Sequence, residues 1–530
     1  MPDQQSTSLS TVRLRLDLAP ALNRVLITRE LEEAARKHIG NELTVLLGAL
    51  GIPGKPKVEI YPFEDVTPPE DQLLRVSING ELCAQSQTLI KGVIAYLSNC
   101  TAKTVKDWLE LEHDALPTVD LLALICLEVS KAQPAILFGP DQAADYALGL
   151  NLTTEVEKLA PPVQVWLREM LSAILELGIS IGDQQTVARV LNEGLANHRP
   201  IENIAEDLID ALRPEALEIH LQESYLKEIT GGSNAEERPK FSEMRDTLFY
   251  ELGLRLPPIR FVIVDDLKPH SFRFKVNHLT TVPRSGLNIE ADPMLYLMRC
   301  FGDELRQTGK SLIYRAKVEE ELEQLELAFP ALVHAARPSI SLEQLTRVVR
   351  CLIAEQISIR NLKLILERIL EYDYVVSDAS KYILFDERLP AYTEPSQAWL
   401  NDPDNIATYI RLGLKRYFKE KYAPDGTLMV YTLGEEIERI LSEYWIGRFD
   451  EEQPSALREN ERKDILNAVR MTIRNPSPSD GFAVILTNAN LRPALHNVTS
   501  REFPERAVLA YEELPDNLLV HPIAKISLKT

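Results

Sequence analysis

The sequence predicts an α+β protein of several domains: a strand-rich unit plus a helical bundle, duplicated in tandem, then a small C-terminal α/β domain. Three observations carry that prediction. Short segments with apolar residues at every second position stand beside longer ones with the i, i+3, i+4, i+7 spacing of an amphipathic helix. Four blocks recur in the same order after about 190 residues. The last stretch alternates a buried-type strand, a helix and a second strand. At 530 residues the chain has length for roughly three or four domains.

Residues 1–26 read as an N-terminal tail, polar at its start ("MPDQQSTSLS") and without the apolar core of a signal peptide. Residues 27–115 form the α/β unit of copy one, with strands expected in "LGIPGKPKVEIYPFEDV" (50–66) and "RVSING" (75–80). Residues 116–215 form its helical bundle, including "LSAILELGISIGDQQTVARVL" (171–191) and "ENIAEDLIDAL" (202–212). The echo runs through 216–290, the second α/β unit, with "LGLRLPPIRFVIVDDL" (252–267) and "RFKVNH" (273–278). There Val58 meets Ile259, Ile60 meets Phe261 and Asp65 meets Asp266. It continues through the second bundle, 291–420, which holds "DNIATYIRLGL" (404–414) and an irregular insert at 373–400. A helical segment is expected over 421–474, then a Pro/Ser linker at 474–481, and a C-terminal α/β domain over 475–530 with strands at 482–487 and 507–514.

The clearest helix pair is "LIAEQISIRNLKLILERIL" (352–370) with the segment before it. Leu345, Val348, Val349, Leu352 and Ile353 share one face, and Leu362, Ile365, Leu366, Ile369 and Leu370 share another. Ser341 with Gln344 makes a capping box, and Ile340 with Leu345 a hydrophobic staple. Ile357-Ser358-Ile359 at the corner answers Ile179-Ser180-Ile181 in copy one. A DNA-reading corner needs a basic outer face, and here Arg360, Lys363 and Arg368 are balanced by Glu367 and Glu371. The pair reads as a packing unit.

Composition excludes several partners. A formal charge of −21 argues against nucleic acid, because phosphate binding needs clustered cations. Five cysteines without CxxC spacing fit reduced, buried thiols in the cytoplasm. The most apolar run, "LLALICL" (121–127), is bracketed by Asp120 and Glu128 and is too short to cross a bilayer, so no direct membrane insertion is expected.

Three motifs invite chemistry. "GISIG" (178–182) fits the nucleophile elbow with Ser180 as nucleophile, but the segment before it has helical rather than strand periodicity, and a helix cap is the simpler role for Ser180. "ELRQTGKS" (304–311) ends like a phosphate-binding loop around Lys310, yet Glu304 stands where the first glycine belongs; a helix ending at Gly309 as its C′ glycine explains it. The pair Asp265-Asp266 reads as a turn. His38, His113, His198, His220, His270, His278, His334, His496 and His521 show no metal-ligand spacing. No catalytic, cofactor-binding or metal residue is assigned, and no cofactor is expected; the partner-binding residues stay unassigned.

"LIAEQISIRNLKLILERILEY", "DPDNIATYIRLGLKRYF" (402–418), "DGTLMVYTLGEEIERIL" (425–441) and the closing "VILTNANLRPALHN…FPERAVLAYEELPDN" together resemble the cytoplasmic half of the FHIPEP family, the export gates of flagellar and type III secretion systems. Leu491-Arg492-Pro493, Phe503-Pro504 and Glu513-Leu514 match its closing domain in type and order. The resemblance covers about 216–530, with 27–215 as a further partial copy, and implies a protein-binding module whose partners are export clients, chaperones or secretion components. It also implies a location in the cytoplasm, peripheral at the inner membrane through a partner. The family's membrane half has no counterpart in these residues. Much of its apolar client-binding dimple is missing too: the dimple's threonine falls near Leu297, or Leu122 in copy one. The leading expectation is a soluble, non-enzymatic secretion scaffold. The alternatives are the same module put to regulation outside secretion, and an enzyme whose site is assembled from scattered side chains. Charge repulsion points to a monomer, or to weak self-association favoured by salt.

Overall fold

The computed structural model describes residues 10–20, 29–63, 74–83, 93, 96–97, 115–150, 152, 163–214, 216–230, 237–285, 292–376, 401–447, 457–473, 483–504 and 506–528. The chain divides into two compact units, Met1–Phe249 with Leu254–Tyr314, and Tyr250–Gly253 with Arg315–Thr530.

The first unit holds two small mixed sheets. In one, β1 (Thr11–Leu18) is central: it pairs in parallel with β2 (Lys55–Pro62) and antiparallel with β3 (Leu74–Ile78), which turns into β4 (Glu81–Leu82). Val12, Leu14, Leu16 and Leu18 alternate with Arg13, Arg15 and Asp17, so one face is wholly buried. Against it lies the helix Arg29–Leu50, whose Ala35, Ile39, Leu43, Leu46 and Leu47 fall on one stripe, with the helix Ala115–Ala132 beside it. This corrects the expectation of an N-terminal tail over 1–26: its residues 11–18 are the middle strand of the sheet. Four buried aliphatic side chains at period two are what place them there.

The second sheet has the order β6-β5-β7-β8, from β5 (Leu217–Leu221), β6 (Ile259–Ile263), β7 (Ser271–Val276) and β8 (Leu279–Thr280), with β9 (Arg284–Ser285) also on β7. Its senses repeat those of the first: β5 is parallel to β6 and antiparallel to β7. Leu14 and Leu16 face Val58 and Ile60 as Leu217 and Ile219 face Ile259 and Phe261. Asn79 and Asn277 open the equivalent hairpin turns at φ 52° and 54°, and the amide of each donates to a carbonyl of the 3-10 turn below it, Ile136 O at 2.8 Å and Ser311 O at 3.1 Å. The helix Pro293–Thr308, expected to open the second bundle, belongs instead under this sheet. Asp292 caps it, and Leu297, Phe301 and Leu305 join Phe272 and Phe274 in the core. The first unit also contains the helices Val163–Glu176, Gln184–Ala196 and Ile201–Leu212.

In the second unit, helices Arg315–Ala328, Pro330–Ser339, Leu342–Ala354, Leu362–Val376, Pro403–Leu412 and Lys415–Tyr422 lead into an all-parallel sheet of order β12-β11-β10-β13. Its strands are β10 (Thr427–Leu433), β11 (Val484–Thr487), β12 (Val508–Ala510) and β13 (Leu519–Ile526). Parallel neighbours need crossovers, and the helices Glu435–Gly447, Glu459–Thr472 and Arg492–Thr499 supply them. The segment 421–474 is therefore not all helical. Leu428, Val430 and Leu433 are buried in β10 before Gly434 and Glu435 begin a helix, so the closing domain starts near 427 rather than 475. Of the irregular insert expected at 373–400, residues 373–376 instead end the helix Leu362–Val376; residues 377–400 and the Pro/Ser linker (474–481) lie outside the described residues. Among the described residues no helix is long and apolar enough to cross a membrane.

Candidate functional site

The corner of "LIAEQISIR" is where the motifs of the second unit converge. The helix Leu342–Ala354 starts at Ser341, whose hydroxyl accepts from Gln344 N, and stops at Glu355; the Gln344 side chain donates to Asn401 O at 3.0 Å, so the structure gives the Ser341 cap without the reciprocal bond of the expected capping box. Gln356 then takes the left-handed conformation at φ 55°, which points its carbonyl out of the helix. Lys421 donates to that oxygen at 2.7 Å and Tyr417 at 3.3 Å, and the Tyr417 hydroxyl in turn accepts from Ser358 N at 3.2 Å. Ile359 N donates to Leu252 O at 3.0 Å, and Asn361 caps the helix Leu362–Val376 through Leu364 N.

Turning back before Gln356 leaves Glu355 against two buried arginines. Arg411, on the helix Pro403–Leu412, donates Nε to Glu513 Oε1 at 2.6 Å and Nη2 to Glu513 Oε2 at 2.9 Å, a bidentate fork. The same Nη2 donates to Val508 O at 3.2 Å, and Nη1 reaches Glu355. Arg492, the first residue of its helix, also donates to Glu355 and to Thr408 Oγ1 at 3.2 Å, and its Nε lies 3.5 Å from Glu513 Oε1. Ala510 N completes the Glu513 carboxylate at 2.9 Å. Arg411, Arg492 and Glu513 have almost no exposed surface, and the Arg411 guanidinium lies over the Phe418 ring.

Burial alone would raise the Glu355 carboxyl, but the Arg411 and Arg492 guanidiniums outweigh it and hold the group well below the usual carboxylate range. Arg411 is likewise opposed by burial and pushed up by Glu355 and Glu513. Lys421 is pulled down to about 8, by burial first and by the Arg411 charge second. Burial raises Cys351 and Asp404 at the edge of the cluster. Charges so fully matched hold three pieces together: the corner, the helix Pro403–Leu412 and the closing sheet. They make a clamp, with every Glu513 oxygen committed. At the matching position of "ENIAEDLIDAL", where no closing sheet follows, stands the buried Ile209.

The other candidates lie apart from this cluster. Ser180 sits in a loop between two helices; its Oγ accepts from Gly182 N at 3.2 Å, and its own N donates to His278 Nδ1 at 3.0 Å. The cap of the following helix is Asp183, which receives Thr186 N, so the expectation of Ser180 as that cap is corrected: Asp183 is one residue from the helix start and Ser180 is too far. Gly309 is right-handed at φ −53° and the chain runs on as a 3-10 turn, Gly309–Leu312, so it is not a left-handed C′ glycine; a helix rather than a strand precedes it. Lys310 lies 3.9 Å from Glu176. Asp266 pairs with Arg273 at 2.8 Å. His220 meets Glu218 at 2.8 Å, and burial lowers His278. Leu297 and Leu122 are buried in their cores. Among the described residues no three His, Cys, Asp or Glu side chains are grouped to hold a metal ion. Sequence reasoning did not single out Glu355, Arg411 or Glu513 as a set. Each lies inside a quoted motif, but Glu355 follows the end of its helix and Glu513 closes the 3-10 turn Tyr511–Glu513, so no apolar periodicity marked them.

Residues 280–518, which include all four clamp residues, match the FHIPEP family. The low calcium response locus protein D of Yersinia pestis is 24% identical over 225 residues, 42% of this chain and 28% of its own length. The flagellar biosynthesis protein FlhA of Bacillus subtilis is 21% identical over 239 residues, 45% of this chain and 32% of its own. The invasion protein InvA of Salmonella typhimurium is 21% identical over 230 residues, 43% and 30%. The chain thus spans about a third of the length of these curated relatives. Among solved structures, the Chlamydia pneumoniae CdsV protein is 21% identical over 58% of this chain and 97% of that one, with a TM-score of 0.48.

Proposed function

Since residues 280–518 are a FHIPEP-family segment, we propose that this chain is a non-enzymatic scaffold that binds other proteins in flagellar or type III protein export. One observation carries the reading: Glu355, Arg411, Arg492 and Glu513, within the segment that matches the family, are used up in holding the second unit together. Chemistry at this site would need a carboxylate able to take or give a proton near neutrality, and Glu355 is held ionised by two guanidiniums. What such a unit offers is surface. It acts in the cytoplasm, with the inner membrane reached through a partner. Quantitative affinity capture from native lysate tests this: components of an export apparatus should be enriched over a Glu513→Ala control. Enrichment of none of them, or turnover of a substrate by the purified chain, overturns it.

We also infer that the two strand units and their following bundles are diverged copies. Support comes from the matching strand order and senses, and from paired details at each corner. Ile181 N donates to Leu50 O as Ile359 N donates to Leu252 O, and Ser180 Oγ receives Gly182 N as Ser358 Oγ receives Arg360 N. An experimental structure in which segments 50–80 and 252–278 fold differently refutes the duplication.

A further inference from the structure

The outer strand of a sheet turns a row of backbone donors and acceptors away from its neighbour, and proteins blunt such edges by shortness, proline or lysine. Among the described residues most outer strands are blunted in this way. β4, β8 and β12 are two or three residues long, β2 carries Lys55, Pro56, Lys57 and Pro62, and β13 carries Pro522. β6 differs: its five residues, Ile-Arg-Phe-Val-Ile, include neither proline nor lysine. It is also apolar beyond the reach of the core. In the register of the ladder Ile259, Phe261 and Ile263 stand beside Leu217, Ile219 and Leu221, on the face that carries the core, yet Phe261 is 47% exposed and Ile263 56%. Leu217 N donates to Pro258 O and Val264 N to Leu221 O, so Arg260 and Val262 turn their backbone groups toward β5. Those of Ile259 and Ile263, on either side of Phe261, point out of the sheet.

We propose that β6 is a pairing edge for β6 of a second copy of this chain, antiparallel about a two-fold axis at Phe261. The occupant follows from the strand's self-complementarity. In that register Ile259 meets Ile263 of the other copy and Phe261 meets itself, and these are the positions whose side chains share the apolar face. They are also the positions with the right backbone parity, whereas a one-residue slip would bring Arg260 and Val262, already committed to β5, onto the new ladder. Five residues make a small contact, and a charge of −21 per chain opposes it, so the dimer is weak and gains from salt. This goes beyond the scaffold reading, since it assigns a surface and its occupant. Sedimentation equilibrium of the full chain in about 1 M salt, where the screening length is about 3 Å, should show a reversible monomer–dimer equilibrium. Ile263→Pro removes an outward donor and keeps the bonds to β5, and Phe261→Lys sets two like charges face to face; each should weaken association at least about tenfold. Leu519→Lys makes the same charge change at an exposed leucine of β13 and should associate as the wild type does. Facing Cα atoms in such a pair stand about 5.5 Å apart, so Phe261→Cys should form an oxidised dimer above the background of the parent chain, and Arg260→Cys should not. Circular dichroism checks that each variant folds. A monomer throughout, which a segment of this chain seated on β6 would also give, overturns the proposal. So does association left unchanged by either β6 variant, or equal cross-linking at position 260.

Discussion

Arg411 carries a full charge with almost no water near it, and it is tolerable only because Glu513 and Glu355 complete its donors. Removing one partner leaves the other charge uncompensated, so Glu513→Ala or Arg411→Ala should cost about 3–5 kcal/mol, read as a lower urea midpoint for the second unit. The pH dependence has two limbs. Glu355 is depressed in the folded state, so its contribution is present above the ordinary carboxylate range and is lost as pH falls through the depressed value; Glu355→Gln should flatten the acid limb below about pH 4.5. Lys421 is also depressed, from 10.5 to about 8, but it is a base. Between those values the unfolded chain binds the proton and the folded chain does not, so stability rises with pH there. Lys421→Met should remove that rise, read as a flat urea midpoint between about pH 8 and 10.5. Little of this was legible in the sequence. Arg411 follows Ile410 on a helix whose apolar face is obvious, yet nothing local says that the arginine points inward, because its carboxylate partners lie 56 and 102 residues away.

Elements were easier to read than their ends. The helix from Leu342 was legible because the Ser341 cap and the apolar stripe agree, and packing then keeps what local preference proposes. The strands at 11–18 and 427–433 show the same period-two pattern as β7, but a polar N-terminus hid one and a strong following helix hid the other. The corners depend on glycines. Gly51 and Gly253 have φ of 73° and 77°, and a Cβ would stand 2.2 Å from Gly182 Cα in one case and 2.6 Å from Arg360 N in the other. Backbone cannot move aside, so each alanine variant should lose more than Gly426→Ala. That position has φ 83° but open space, so its loss is only the left-handed penalty of about 1–2 kcal/mol. Differential scanning calorimetry ranks the three. Lys310→Ala, by contrast, removes only a half-exposed side chain at 3.9 Å from its partner. Its melting temperature should stay within error of wild type, and Mg-ATP should raise neither; a rise of several degrees lost in the variant would show a nucleotide site.

The doubling we propose rests on block order, which can survive when side chains drift; the domain limits were not legible, since each sheet recruits a strand or helix from beyond the block that named it. Self-association is set by charge as well. With −21 per chain, sedimentation at low salt should give a monomer at micromolar concentration, with any association appearing as salt is raised; a stable oligomer at low salt contradicts this. The closing sheet sets a further condition, on synthesis. β10 pairs with β13 along almost its whole length, and Arg411 finds its fork only at Glu513. The second unit's helices emerge from the ribosome well before either partner exists. Until the residues after 508 are made, a central strand lacks one neighbour and a buried guanidinium lacks its counter-charge. A nascent chain stalled before that point therefore exposes an open strand edge and an unfinished core. Proteases and chaperones recognise such a product, so truncated chains should be cleared rather than accumulate as a working half.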